Sequence, residues 1–170
     1  NTSYNQGLYP IDSITILNHG HDQSTEKFIK DTLKKIDEII DLDFQFSATN
    51  NGTLLDIYHV GYSSGFDNNV VGQALPQSSS AGNWWDIYWK EETLSNEVNA
   101  NLNTIIHEIG HTLGLQHPYD QPNNELWNSS DTIMSYNRSP DGWSTWFSGL
   151  DIKALISIWG RENDDGSFYF

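Results

Sequence analysis

HEIGHTLGLQH, at residues 107–117, has the spacing HExxHxxGxxH, and the predicted architecture is arranged around it. On a helix, His107 and His111 lie four residues apart and share one face, so both imidazoles can reach one ion. Gly114 can adopt a positive φ, and the turn that follows would bring His117 back toward the other two histidines. The spacing therefore predicts a helix that ends in a site where three imidazoles bind one metal ion.

Three nitrogen ligands leave one tetrahedral position open, which is typical of a catalytic zinc ion that binds water. Zinc lowers the pKa of such a water to about 7, so hydroxide is available near neutral pH. Glu108 follows the first ligand and is predicted to accept the proton of this water and then to pass it to the leaving amine. The alternative is that the three histidines lie at the solvated end of a helix and bind no metal.

A second segment, DTIMSY at residues 131–136, strengthens the metal hypothesis. Together with HExxHxxGxxH it resembles the signature of the metzincin metalloproteases, in which a Met-turn follows the histidine motif. The resemblance implies that Met134, the single methionine of the chain, lies beneath the metal. Gly114 and Met134 are thus expected to be structural residues near the site, although Met134 could equally fill a gap in the core.

Among metzincins the chain is most similar to the serralysins of the peptidase M10 group. Pro118 directly after the third histidine, the Met-Ser-Tyr order at 134–136 and the segment 150–160 carry this similarity, with Trp159 where a tyrosine is more usual. The resemblance implies a secreted or cell-surface catalytic domain. It also implies that Tyr136 can bind the metal, move away when substrate enters and stabilise the oxyanion. The alternative is that Tyr136 only packs against the Met-turn.

The segment GQALP at residues 72–76 resembles the edge strand that lines the upper rim of the cleft in this family. Gln73, Ala74 and Leu75 are therefore expected to bind the substrate, a protein or peptide that adds to the strand in an extended, antiparallel conformation.

The composition excludes other classes of partner. The chain has 8 basic and 23 acidic residues, a net charge of −15, which repels nucleic acid and anionic membranes. It has no cysteine, so no disulfide can form. We expect a monomer with no nucleic-acid or membrane partner.

Further metal sites have weaker support. Serralysins continue into GGxGxD calcium-binding repeats, which this sequence lacks; Asp- and Asn-rich stretches offer oxygen ligands for calcium, but no motif supports such a site. His19 and His21 have alternate spacing that a second metal could use, although solvated histidines are the commoner outcome. His59 lies in a predicted strand and is expected to pack there.

The predicted fold class is α+β and metzincin-like, with a twisted mixed β-sheet and two helices in an upper subdomain, about residues 1–114. An irregular lower subdomain, about 115–170, would carry the Met-turn and a C-terminal helix, and together they form one catalytic domain, 1–170. Strands are predicted at 11–17, 43–47, 53–60, 70–75 and 84–90. Helices are predicted at 27–40, 101–113 and 148–159. Three boundary signals are Ser24 as the first N-cap, Pro76 as the end of the fourth strand and 77–83 as a loop.

These patterns predict a zinc-dependent endopeptidase that hydrolyses peptide bonds with metal-activated water. Two alternatives remain open at this stage. One is a catalytically idle binding or adhesion module that keeps the metal, and the other is a metal-dependent hydrolase of a non-peptide bond.

Overall fold

The computed structural model describes residues 16–47, 49, 52–63, 70–91 and 97–163. Their secondary structure, in chain order, is β1 (Ile16–His19), α1 (Gln23–Asp37), β2 (Leu55–Ser63), β3 (Gly72–Ser79), β4 (Gly82–Trp89), α2 (Val98–Thr112), a short 3₁₀ turn (Pro118–Asp120) and α3 (Gly149–Trp159). The predicted α+β fold is confirmed. Among these residues, no helix has the length and apolar character needed to cross a membrane.

The strands form one mixed sheet in the order β1-β2-β4-β3. β2 and β4 run parallel, whereas β1 pairs with β2 and β3 pairs with β4 in the antiparallel sense. β3 and β4 are joined by a tight hairpin that closes at Ser79 and Gly82. This topology leaves β3 at an edge of the sheet, the location expected for a strand that lines a substrate cleft.

A core of isoleucine, leucine and aromatic side chains joins the three helices to the sheet. The residues with no exposed surface include Ile36 and Ile40 near the end of α1, Ile106 and Ile109 on α2, and Leu155 on α3. Burying each such side chain contributes about 1.5–3 kcal/mol. Because several side chains of α2 are buried in this core, the core fixes the helix that carries the histidine motif.

The start of α1 differs from the prediction. The helix begins at Gln23 with Asp22 as its N-cap, because the Asp22 carboxylate accepts the backbone N–H of Thr25 at 2.6 Å. The predicted cap, Ser24, lies inside the first turn, and its hydroxyl donates to Asp22 at 2.8 Å. A carboxylate competes well for this position because it accepts stronger hydrogen bonds than a hydroxyl does.

Two strand predictions were wrong. Residues 43–47 form no strand, since none of them pairs with the four strands of the sheet. β3 does not end at Pro76 but continues to Ser79, so most of the predicted loop 77–83 belongs to the β3–β4 hairpin. Proline is tolerated here because an edge strand has backbone N–H positions that face away from the ladder. Of the predicted strand 11–17, residues 11–15 lie outside the described residues, and residues 16 and 17 belong to β1.

The C-terminal helix matches its prediction at both ends. Ser148 caps α3, and a capping box links its side chain and backbone to Asp151. Gly160 ends the helix with φ of +90°. The indole N–H of Trp159 donates to the Leu113 carbonyl at 2.8 Å, so the end of α3 is tied to the end of α2.

Candidate metal centre and catalytic residues

The last turns of α2 and the turn after it bring three histidines together. His107 and His111 lie one helical turn apart on α2, which ends at Thr112. Gly114 has φ of +97°, and this left-handed conformation reverses the chain as the sequence predicted. His117 therefore returns to the face of α2 that carries the other two imidazoles. Among the described residues, this trio is the one group of histidine, cysteine or acidic side chains found close enough together to hold a metal ion.

The spacing of the ring nitrogens fits a tetrahedral ion. The Nε2 atom of His117 lies 3.3 Å from Nε2 of His107 and 3.2 Å from Nε2 of His111. Two nitrogens that bind zinc tetrahedrally at 2.0–2.1 Å are separated by about 3.3–3.4 Å. The three residues therefore fit a zinc ion by their chemistry and by their separation.

Backbone carbonyls fix the orientation of two of the rings. Nδ1 of His107 donates to the carbonyl of Ile133 at 2.8 Å, and Nδ1 of His111 donates to the carbonyl of Leu115 at 3.0 Å. A proton held at Nδ1 leaves Nε2 with a free lone pair, which is the form that binds a metal. The tautomers of His107 and His111 thus leave their Nε2 atoms available for one metal ion.

Burial keeps these imidazoles neutral. It lowers the pKa of His107 to about 3 and that of His117 to about 4, with a further lowering from the neighbouring His111 in both cases. The pKa of His111 is lowered as well, again mainly by burial. Because a protonated imidazole cannot bind a metal, these lowered pKa values favour the form of each ring that can bind one.

Glu108 lies between α2 and the edge strand. Its side chain is buried, and burial raises the pKa of the carboxyl group to about 8 in the metal-free chain, although a hydrogen bond from the backbone N–H of Ala74 acts in the opposite direction. A Cβ atom added to Gly72 would lie 2.7 Å from Oε1 of Glu108. The first residues of β3 therefore press directly against this carboxylate.

The residues predicted to bind substrate all lie in β3. Gln73, Ala74 and Leu75 are half-buried and pair with β4 on one side. Since the Ala74 N–H reaches Glu108, it points to the outer edge of the strand rather than into the ladder. Within the described part of the chain, no further strand pairs with that outer edge.

Tyr136 covers the exposed side of the histidine cluster. Its ring centroid lies 5.3 Å from that of His107 and 4.9 Å from that of His117, and the residue is 50% exposed. Burial of its hydroxyl raises the pKa of Tyr136, and the negative charge of Glu108 raises it further. The phenol is therefore held protonated next to the site, as a hydrogen-bond donor.

Met134 packs against α2 between two of the histidines. The residue is 1% exposed, and a Cβ atom on Gly110 would lie only 2.8 Å from its sulfur. Sequence reasoning had not singled out Gly110. A signal was present, because glycine in the middle of a helix costs about 1 kcal/mol and is favoured where another group approaches closely.

The remaining histidines lie apart from this centre. His21 and His59 stack in a row with Trp89; the ring centroids of His59 and Trp89 are 4.1 Å apart. The Nε2 atom of His21 donates to the Ile57 carbonyl at 3.0 Å. His59 thus packs in its strand as expected, while the side chain of His19 lies outside the described residues.

Comparison with known proteins agrees with this geometry. The model of Metallo-peptidase family M12 matches residues 10–148. A serralysin of Photorhabdus laumondii is 34% identical over 98 residues, 55% of this chain and 18% of the relative. Serralysin G of Dickeya chrysanthemi is 27% identical over 131 residues, 73% of this chain and 25% of the relative. The chain thus spans about a quarter or less of these relatives' length.

Metallopeptidase AprA of Pseudomonas marginalis is also similar, at 30% identity over 112 residues. The matching family is numbered M12, whereas the sequence resemblance pointed to the M10 group. The similar proteins are serralysins, as expected, and they confirm the serralysin-like metzincin assignment. Because the family match covers most of the chain, including the histidine motif and the Met-turn, this chain belongs to metallo-peptidase family M12.

Proposed function

We propose that this chain is the catalytic part of a zinc-dependent endopeptidase that cleaves protein or peptide substrates outside the cell. The observation that carries the proposal is the convergence of three histidines, with Nε2 of His117 at the separation zinc requires from Nε2 of each of the other two and a buried glutamate next to His107. His107, His111 and His117 would hold the ion. When bound, zinc would act as a Lewis acid and lower the pKa of a water molecule to about 7.

In this mechanism Glu108 is the general base and then the general acid. A nearby cation would favour its carboxylate form over the neutral form that burial favours in the metal-free chain. The carboxylate would take a proton from the attacking water and deliver it to the nitrogen of the leaving amine. The hydrogen bond from the Ala74 N–H would help to hold this carboxylate beside β3.

The substrate would lie along β3 in an extended conformation. Backbone groups of residues 73–75 on the free edge can pair with the peptide in the antiparallel sense, so its scissile bond would be held beside α2. The Tyr136 hydroxyl, protonated and half-exposed, would donate a hydrogen bond to the negative oxygen that develops on the scissile carbonyl. We propose a monomer, since no step requires a second subunit.

The test is hydrolysis of casein and of a quenched fluorescent peptide library by the purified chain, with and without a chelator. Glu108→Gln should retain zinc but lose about 10²–10⁴-fold in kcat/KM. Glu125→Gln, an exposed glutamate, is the matched control and should behave as wild type. Wild-type cleavage by Glu108→Gln would refute the mechanism. A wild-type chain that binds zinc and cleaves no peptide would favour the idle binding module instead.

A further inference from the structure

We infer that Asp151 is a positioning residue for the metal centre, acting through the Met-turn on the orientation of His107. The inference rests on the proposed metal site and does not depend on proteolysis. Asp151 lies on α3, 44 positions after the histidine that it would orient.

The Asp151 carboxylate is buried, with 4% of the residue exposed, and both of its oxygens are used. Oδ1 accepts the hydroxyl of Thr132 at 2.6 Å. Oδ2 accepts the backbone N–H of Ile133 at 2.9 Å and that of Ser148 at 2.8 Å. Only the Ser148 bond belongs to the helix cap, so the other two bonds serve the Met-turn.

The bond to Thr132 orients one particular peptide group, the one between Ile133 and Met134. The hydroxyl of Thr132 donates to Asp151 and accepts the backbone N–H of Met134 at 3.1 Å. That N–H belongs to the same planar peptide unit as the carbonyl of Ile133. Because the unit is planar, holding its N–H sets the direction of its carbonyl.

The carbonyl of Ile133 accepts the Nδ1–H of His107 at 2.8 Å. This bond selects the tautomer whose Nε2 is free, and it sets the plane of the ring. The contacts therefore run from Asp151 through Thr132 and the Ile133–Met134 peptide to His107. Their effect is to aim Nε2 of His107 at the point where it meets the Nε2 atoms of the other two ligands.

Asparagine cannot replace this carboxylate fully. Its side chain has nearly the same shape but only one acceptor oxygen, so it cannot accept from backbone N–H groups on one side and from the Thr132 hydroxyl on the other. Asp151→Asn thus removes the acceptor of the Thr132 hydroxyl, with little change in packing volume. Ser148→Ala is the matched control, since it removes the capping hydroxyl of α3 and leaves the Thr132 and Ile133 bonds in place.

The experiment measures the zinc Kd by competition with a chelator, and the visible absorption spectrum of the Co²⁺-substituted protein. Asp151→Asn should weaken zinc binding by about 10–100-fold and alter the Co²⁺ spectrum. Thr132→Val should also weaken zinc binding and alter the Co²⁺ spectrum. It tests the inference even if Asp151→Asn does not fold. Thr132→Ser, which keeps the hydroxyl, and Ser148→Ala should both stay within about threefold of the wild-type Kd, the small change expected when an outer-shell contact is kept.

Wild-type Kd and an unchanged spectrum in folded Asp151→Asn or Thr132→Val would overturn the inference. It would also be overturned if Ser148→Ala weakened zinc binding as much as Asp151→Asn, because helix capping alone would then explain the loss. A wild-type chain that binds no zinc would refute the proposed function itself.

Discussion

Gly72→Ala should displace Glu108, the proposed general base, without touching a proposed metal ligand. An added Cβ would lie 2.6 Å from Cγ2 of Thr104 and 2.7 Å from Oε1 of Glu108. Ordinary carbon contacts need about 3.5–4.0 Å, so the two side chains or the strand must move by about 1 Å. Such overpacking costs about 1–3 kcal/mol. For a chain of 170 residues, each kcal/mol lowers Tm by about 2–4 °C, which gives a total of about 2–12 °C.

The assay combines peptide hydrolysis, zinc affinity and thermal unfolding of the same preparation. Because a misplacement of about 1 Å in a catalytic group can cost about 10²-fold, we expect kcat/KM to fall by about that factor. The zinc Kd should change little, since the atoms nearest to the added Cβ belong to Thr104 and Glu108 and not to a histidine.

Gly149→Ala is the control for this variant. Nothing lies within 4 Å of the Cβ that this substitution would add, and residue 149 is the first residue of α3, where alanine is a better helix former than glycine. Its activity should equal that of wild type, and its Tm should stay the same or rise. If Gly72→Ala keeps the wild-type kcat/KM and Tm, the close approach of residue 72 to Glu108 does not matter for activity. The same conclusion follows if Gly149→Ala loses as much activity as Gly72→Ala.

Two further predictions concern Tyr136 and pH. Tyr136→Phe should keep the wild-type zinc Kd and lose about 10²-fold in kcat, because it removes one donor to the developing oxyanion; steady-state kinetics measure this, and an unchanged kcat would mean that the residue only packs. In the metal-free chain the pKa values of the three histidines are lowered by burial, to about 3 for His107 and about 4 for His117. Their contribution to stability is present above pH 6.5 and is lost as the pH falls toward 4 and below. The pKa of Glu108 is raised to about 8, so its contribution is present below pH 4.5 and is lost as the pH rises through 8. Thermal unfolding of chelator-treated protein from pH 4 to pH 9 should therefore show a loss of Tm at both ends, and Glu108→Gln should remove only the alkaline loss. A Tm that does not fall as the pH rises through 8 would contradict the Glu108 assignment, and a Tm that does not fall toward pH 4 would contradict the histidine assignment.

The sequence determined those features whose physics is local. A separation of four residues places His107 and His111 on one face of any helix, and a glycine at position 114 permits the left-handed turn that follows. The apolar period over 148–159 and the glycine after it define α3 at both ends. These features involve residues within a few turns of one another, so neither the rest of the chain nor the sheet topology is needed to predict them.

Other features depend on which distant segments meet. Residues 43–47 alternate like a strand, but in the folded chain they pair with none of the four strands. Pro76 predicts the end of a strand, yet β3 continues through it, because an edge strand does not need every backbone N–H for pairing. The local sequence pattern does not distinguish these outcomes, because strand pairing depends on which distant segments lie beside each other in the folded chain.

The supports of the site also belong to the tertiary structure. Gly72 meets Glu108 across 36 positions of sequence, and Asp151 reaches the Met-turn from another helix. An aspartate in the first turn of a helix is explained locally by capping, so its second set of bonds leaves no pattern in the sequence. The proposed metal ligands could be predicted from their spacing because one helix presents two of them. The groups that aim those ligands come from separate elements, and folding alone brings them within hydrogen-bonding distance.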